Sequence, residues 1–245
     1  MMHISRTDVL LLFAFSLLFP LFLPTDARAQ QLPPIAEQVA KTYGLDAFGQ
    51  IEGIRFTFNA ERAGGTVSRS WEWNPKTDTL SYEGKDKEGN PVKVTYPRSR
   101  LDSQSDAVKG EIEPTFVNDQ YWLLFPFHVV WDGGATVTDN GMQKLPLGNG
   151  SAQQVVVKYP PEGGSSPGDT WELFVGPDKR IEEYVFRRGG PRKPSVVTTT
   201  WADYKKAGPL LVAMDHRGNA DGNPVRIFFS DVAVKVTGSD WANAQ

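Results

Sequence analysis

Cysteine is absent from the 245 residues, which excludes disulfides, a thiol nucleophile and thiolate metal sites and leaves packing to stabilise the fold. Histidine is scarce: beyond the N-terminal thirty residues only His128 and His216 remain, little material for a histidine-based acid/base or metal site. Strong charge of one sign is lacking too. The formal net charge is −3, and without a concentrated basic face no nucleic-acid partner is expected. No repeat of fixed period and no low-complexity tract occurs, which argues against solenoids and propellers. Nor is there a long apolar run. The longest, Val9 to Leu23, has fifteen positions and is interrupted by Pro20, whereas a helix that crosses a bilayer needs about 17 to 25 apolar residues.

That short run reads instead as an export signal. Arg6 precedes it and Ala27-Arg28-Ala29 follows it, a small-x-small triplet suited to cleavage before Gln30. Residues 1–29 are thus expected to be a cleaved signal peptide and 30–245 a single exported domain, in the periplasm or, failing that, outside the cell. Removing Arg6, Arg28, Asp8 and Asp26 leaves the charge at −3. No cysteine follows the run, so a soluble, unacylated monomer is expected, with at most peripheral envelope contact.

After Pro33-Pro34, Ile35, Val39 and Tyr43 recur every four residues beside Ala36 and Ala40, which predicts a helix that Gly44 ends. The period then becomes two. Ile54, Phe56, Phe58 and Ala60 alternate with polar residues, and strands are predicted at 54–60, 67–73, 79–82, 91–96, 135–138, 153–159, 171–175, 181–187, 196–204 and 225–236. The least polar stretch, 116–131, is expected at the centre of the core. Val117, Tyr121 and Leu124 suit a helical turn, whereas Pro126 and Val129-Val130 favour an extended chain after it. The fold class is therefore mainly β (α+β). So many strands must curl to hide their apolar face, giving a curved antiparallel sheet or unclosed β-barrel wrapped over one or two helices.

The N-terminal helix, the strands 54–60 and 67–73, the segment Asn118-Asp119-Gln120-Tyr121-Trp122-Leu123-Leu124-Phe125-Pro126-Phe127 and the closing Gly208-Pro209-Leu210 and Arg226-Ile227-Phe228-Phe229-Ser230-Asp231-Val232 together resemble the LolA/LolB-like periplasmic lipoprotein-carrier superfamily, in an uncharacterised exported branch. The resemblance covers nearly all of 30–245. It implies an unclosed β-barrel curved around helices, with an apolar cavity that in the carriers holds lipoprotein acyl chains. Many relatives carry His-Gly-Gly where this chain has Thr42-Tyr43-Gly44, and the cysteine of the membrane-anchored branch is missing.

Motifs of catalysis are weak. Gly164-Ser165-Ser166-Pro167-Gly168 satisfies G-x-S-x-G, but a strand pattern follows it rather than the helix a nucleophile elbow requires, so an exposed hairpin loop is expected. Asp215, His216 and Asp221 surround the glycine-rich 217–223, which turn chemistry explains without a metal. Glu182 and Glu183 adjoin on a strand, so they point to opposite faces and cannot act as a facing pair; they read as hairpin surface. Arg187, Arg188, Arg192 and Lys193 form the densest basic cluster, either a solvated loop tip or a docking point for an acidic partner or lipid headgroup. Phe56, Phe58, Trp71, Trp73, Tyr82, Trp122, Phe125, Phe127 and Trp131 supply the aromatic bulk of the core and are the candidates for lining an apolar cavity.

Three functions compete on these residues. The foremost is a non-enzymatic protein, with no metal and no organic cofactor, that binds or carries an apolar small molecule, a lipid or an acylated protein in the concave face of its sheet. The second is an exported hydrolase with a dispersed acid/base site such as His128, Asp119 and Asp215. The third is an envelope interaction protein with a filled core that binds through the 187–193 loop.

Overall fold

Alternation of apolar and polar residues builds most of the molecule. In the computed structural model, which describes residues 32–245, helix α1 (Pro34–Thr42) precedes a meander of β1 (Ile51–Arg62), β2 (Gly65–Asn74), β3 (Thr79–Lys85) and β4 (Pro91–Pro97). Helix α2 (Glu113–Trp131) follows. Then come β5 (Thr136–Lys144), β6 (Ser151–Lys158), β7 (Thr170–Val175), β8 (Ile181–Arg188), β9 (Ser195–Thr200), β10 (Ala202–Ala207), β11 (Leu210–Ala220), β12 (Asn223–Val236) and β13 (Trp241–Asn243). The export signal read at 1–29 lies outside the described residues. No helix among the described residues is long and apolar enough to cross a membrane.

The strands form one antiparallel sheet in the order β4-β3-β2-β1-β12-β11-β9-β8-β7-β6-β5, with β10 beside β11 and β13 beside β12. Its outer strands, β4 and β5, do not pair with each other, so the curved, unclosed sheet over helices expected above is the fold observed. Two joins pair strands that are not consecutive, β9 to β11 past β10 and β1 to β12 from opposite ends of the chain.

Ile54, Phe56, Phe58 and Ala60 are buried as their alternation predicts, and so are Ile35, Ala36, Val39 and Ala40 of α1. The left-handed Gly44 (φ 106°) follows the helix, and a Cβ there would stand 2.5 Å from the Pro209 carbonyl oxygen. Tyr43 then closes a ring of hydrogen bonds. Its hydroxyl accepts from Ile181 N (3.0 Å) and meets the Tyr204 hydroxyl (2.6 Å), which donates to Ile181 O (2.6 Å).

The extended chain expected after Pro126 is instead helix: α2 continues through Pro126 to Trp131, buried for most of its length. Proline removes the N–H that would have bonded the Trp122 carbonyl four residues back. A helix apolar on all sides belongs inside a protein, and filling the curve of the sheet outweighs the local preference of Pro126, Val129 and Val130. Two further expectations change. The strand 196–204 breaks at the buried Trp201 into β9 and β10, with Asp203 at φ 54°, and 217–220, read as a connection, belong to β11.

Candidate functional site

α2 touches two very different walls. Toward β1–β4, Phe116 packs on Trp71 and Trp73 (centroids 5.3 and 6.0 Å), and Trp71 on Tyr82 (4.5 Å). The fully buried Asp119 accepts from Arg69 Nε and Nη2 (2.7 and 2.6 Å), Trp71 Nε1 (2.9 Å) and Asn118 Nδ2 (3.0 Å). Burial pushes its carboxyl upward, against the arginine and the other donors. Glu113, also buried, accepts from the Tyr96 hydroxyl (2.7 Å) and from Arg98 Nε and Nη2 (2.9 and 2.7 Å). This wall is a closed seam around Asp119, and at its edge Glu113 and Arg98 also border the cleft that opens along α2.

The C-terminal turn of α2 is held by Asp132. It accepts from the hydroxyls of Tyr121 (2.8 Å) and Tyr159 (2.6 Å) and lies 3.1 Å from His128 Nδ1, while His128 Nε2 meets the Gln120 side-chain oxygen at 2.9 Å. Burial acts to raise the Asp132 carboxyl, but the hydrogen bond and charge of His128, with the two tyrosines, hold it below the usual range.

Along its N-terminal half, the other wall of α2 opens into a cleft of about 490 Å³. Val117, Tyr121 and Trp122 of α2, Leu101, and Trp171 and Phe186 of β7 and β8 give it an apolar floor. Arg98, Lys109, Arg188 and Arg192 outnumber Glu113 and Asp169 in its lining and give the rim a net positive charge, and Ser165 and Ser166 line one side. Two loops form that side and are latched through Asp169, which accepts from Ser166 Oγ (2.7 Å), Gly189 N (2.9 Å) and Arg192. The segment 164–168 is the β6–β7 hairpin connection, with Gly164 and Ser165 exposed as expected, but the latch buries Ser166.

The predicted site residues divide. Of the nine aromatic candidates, Trp122 lines the cleft. Phe56 and Phe58 pack on Phe229 (5.8 and 5.9 Å), Phe125 stacks on Trp171 (4.4 Å) and Phe127 stacks on Trp131 (5.1 Å), so they join Trp71 and Tyr82 in packing, whereas Trp73 lines a separate, smaller pocket of about 170 Å³ with Glu52, Glu72, Lys235 and Trp241. Trp131 remains 37% exposed at the helix end.

The basic cluster is split as well. Arg187 pairs with Glu172 and Arg192 with Asp169, whereas Arg188 forms no ion pair among the described residues and points its charge at the cleft rim with Arg192. Glu183, expected at the surface, is buried and accepts from Leu147 N (2.6 Å).

The dispersed hydrolase site does not assemble. Asp119 and His128 are nine residues apart on one helix, which is two and a half turns, so they face opposite sides. Asp215 is bound to Arg226 Nε (2.7 Å) and Arg217 Nε (2.6 Å), and these outweigh burial to hold its pKa down. Among the described residues no serine hydroxyl bonds to either histidine, and no cluster of three or more potential metal-ligating side chains occurs.

No family model and no curated protein matches the chain. It is similar to solved structures that include a DUF1329 family protein from Desulfovibrio piger (11% identity over 85% of this chain and 95% of that one, TM-score 0.46). Others are a domain described as an outer membrane lipoprotein-sorting protein from Vibrio parahaemolyticus (11% identity, 84% and 95%, TM-score 0.42) and the lipoprotein LppX of Mycobacterium tuberculosis (8% identity, 82% and 96%, TM-score 0.31). At such identities no residue role passes from them to this chain.

Proposed function

We propose that this protein binds an amphiphile, a lipid or the acyl group of a modified protein, with the hydrocarbon against Val117, Tyr121, Trp122, Trp171 and Phe186 and the polar end at Arg188 and Arg192. One observation carries the reading: a cleft whose floor is apolar and whose mouth is cationic. Its volume lies within the roughly 300 to 1,000 Å³ of small-molecule sites. Burying eight methylenes there contributes about 6 kcal/mol before ordering costs, at about 0.8 kcal/mol each. No covalent step is needed. Together with Arg6, the apolar run and Ala27-Arg28-Ala29, the reading makes the chain an exported carrier or binding protein that works as a monomer outside the cytoplasm.

The test is native mass spectrometry of the purified protein after incubation with phosphatidylglycerol vesicles. A lipid adduct is expected, and Val117→Arg, which places a charge on the cleft floor, is expected to abolish it while leaving the unfolding midpoint nearly unchanged. Failure of the wild-type protein to take up lipid, or equal uptake by the variant, would refute the proposal.

A further inference from the structure

The interior behind the cleft is chemically unusual. Among the described residues, five buried side-chain atoms have no side-chain hydrogen-bond partner: Trp171 Nε1, Tyr184 Oη, Thr199 Oγ1, Trp201 Nε1 and His216 Nε2. All belong to residues 4% exposed or less. They are not scattered. Trp171 contacts Tyr184 (centroids 4.8 Å), Tyr184 contacts Trp201 (5.1 Å) and Trp201 contacts His216 (4.3 Å), while Thr199 is the strand partner of Tyr184. The row starts at Trp171 on the cleft floor and runs inward under Trp122, whose ring lies 5.2 Å from Tyr184 and 6.0 Å from both Trp171 and His216.

A buried polar atom without a partner costs about 1 to 3 kcal/mol. Five in one contiguous row that begins at the cleft floor with Trp171 mark a place suited to polar atoms from outside the chain. Their chemistry says which kind. The two indoles only donate, and the hydroxyls of Tyr184 and Thr199 donate or accept. The His216 ring faces the carbonyls of Thr200 (3.3 Å from Nδ1) and Trp122, and burial keeps it neutral by lowering its pKa to about 4. No carboxylate or cation takes part in the row, so a full charge brought there would be desolvated without a counter-ion. An uncharged oxygen acceptor suits it.

We propose that this row is a polar subsite, reached from the cleft past Trp122, that receives an uncharged oxygen such as an ester carbonyl borne at the inner end of an apolar ligand. The subsite deepens the amphiphile reading and rests on it: Trp171, Tyr184, Thr199 and Trp201 meet an uncharged oxygen carried on the apolar part of the ligand away from its headgroup, while an anionic headgroup, where there is one, stays at the arginine rim.

The test compares two probes of similar length, methyl decanoate and 1-chlorodecane, by intrinsic tryptophan fluorescence titration of the purified protein. Chlorine accepts hydrogen bonds poorly, so the wild-type protein should prefer the ester. Tyr184→Phe and, independently, Thr199→Val remove one hydroxyl each at nearly constant shape. Each should cut the ester-over-chloroalkane preference by about three- to tenfold, the worth of one net hydrogen bond, with chloroalkane affinity unchanged. If both probes bind but the preference is absent, or is the same in both variants as in wild type, the row only holds water and the subsite is refuted while the cleft stands. If neither probe binds the wild-type protein, the cleft reading itself fails and the subsite with it.

Discussion

The two sides of α2 differ in how they treat buried polarity. Toward β1–β4 each buried polar group is answered within the protein: Asp119 by Arg69, Trp71 and Asn118, and Glu113 by Tyr96 and Arg98. Toward β7–β11 the same helix faces Trp171, Tyr184, Thr199, Trp201 and His216, whose polar atoms are left open, and there too the surface parts into a cleft. A satisfied network fixes one arrangement, whereas unsatisfied groups are retained where something outside the fold repays them. In the proposed reading one side anchors the helix and the other binds the ligand.

Substitutions can break this contrast. The largest effect is expected at Asp119. Asp119→Ala strands Arg69 and Trp71 Nε1 beside the core and should destabilise by about 3 to 5 kcal/mol in urea unfolding, as loss of one partner of a buried ion pair does. A loss below 1 kcal/mol would show the seam is not an anchor.

Next comes the pH dependence imposed by His216. Its folded pKa is about 4 against an ordinary 6.5. Between those values the unfolded chain binds a proton that the folded one does not, so stability falls as pH drops from about 6.5 to 4, by about 3 kcal/mol for this group. It is fully present above 6.5. His216→Gln should flatten that part of the stability profile, and an unchanged slope in the variant would remove His216 as its source.

The smallest effects, of opposite sign, sharpen the comparison most. Tyr96→Phe deletes a hydroxyl bonded to Glu113 and should cost about 1 to 2 kcal/mol, whereas Tyr184→Phe deletes an unpartnered one and should be neutral or stabilising by up to about 1 kcal/mol. Equal losses at both positions would mean that the two sides are not different in kind.

Much of this architecture is legible in the sequence: β1 follows directly from the alternation of Ile54 to Ala60, and β6 and β8 from the β-branched and aromatic residues of 153–159 and 181–187 between turn formers. What escapes is set by neighbours distant along the chain. Gly218 and Asn219 look like turn residues, yet Gly218 lies in β11 because the Thr198–Thr199 backbone of β9 passes where a Cβ would stand. Glu183 looks like hairpin surface, but the segment at Leu147 and Gly148 covers it. Pro126 argues locally for a helix end, and only the enclosing sheet keeps α2 intact.

The site was half visible for the same reason. The aromatic content of the core and the arginines at 187–192 stand out, but which rings face each other and which face open space depends on the azimuth of α2. Tyr121, Trp171 and Phe186, with Leu101 and Lys109 from the segment before α2, therefore carry no sequence signal of their own. The latch of Ser166 and Arg192 onto Asp169 is likewise a meeting of two loops.

The contrast between the walls is tested most directly by the indole N–H spectrum of 15N-tryptophan-labelled protein titrated with lysophosphatidylglycerol. The account predicts that Trp122 and Trp171 shift with saturation while Trp71, whose N–H is held by Asp119, stays in place. Shifts confined to Trp71 and Trp73, with Trp122 and Trp171 unmoved, would contradict it.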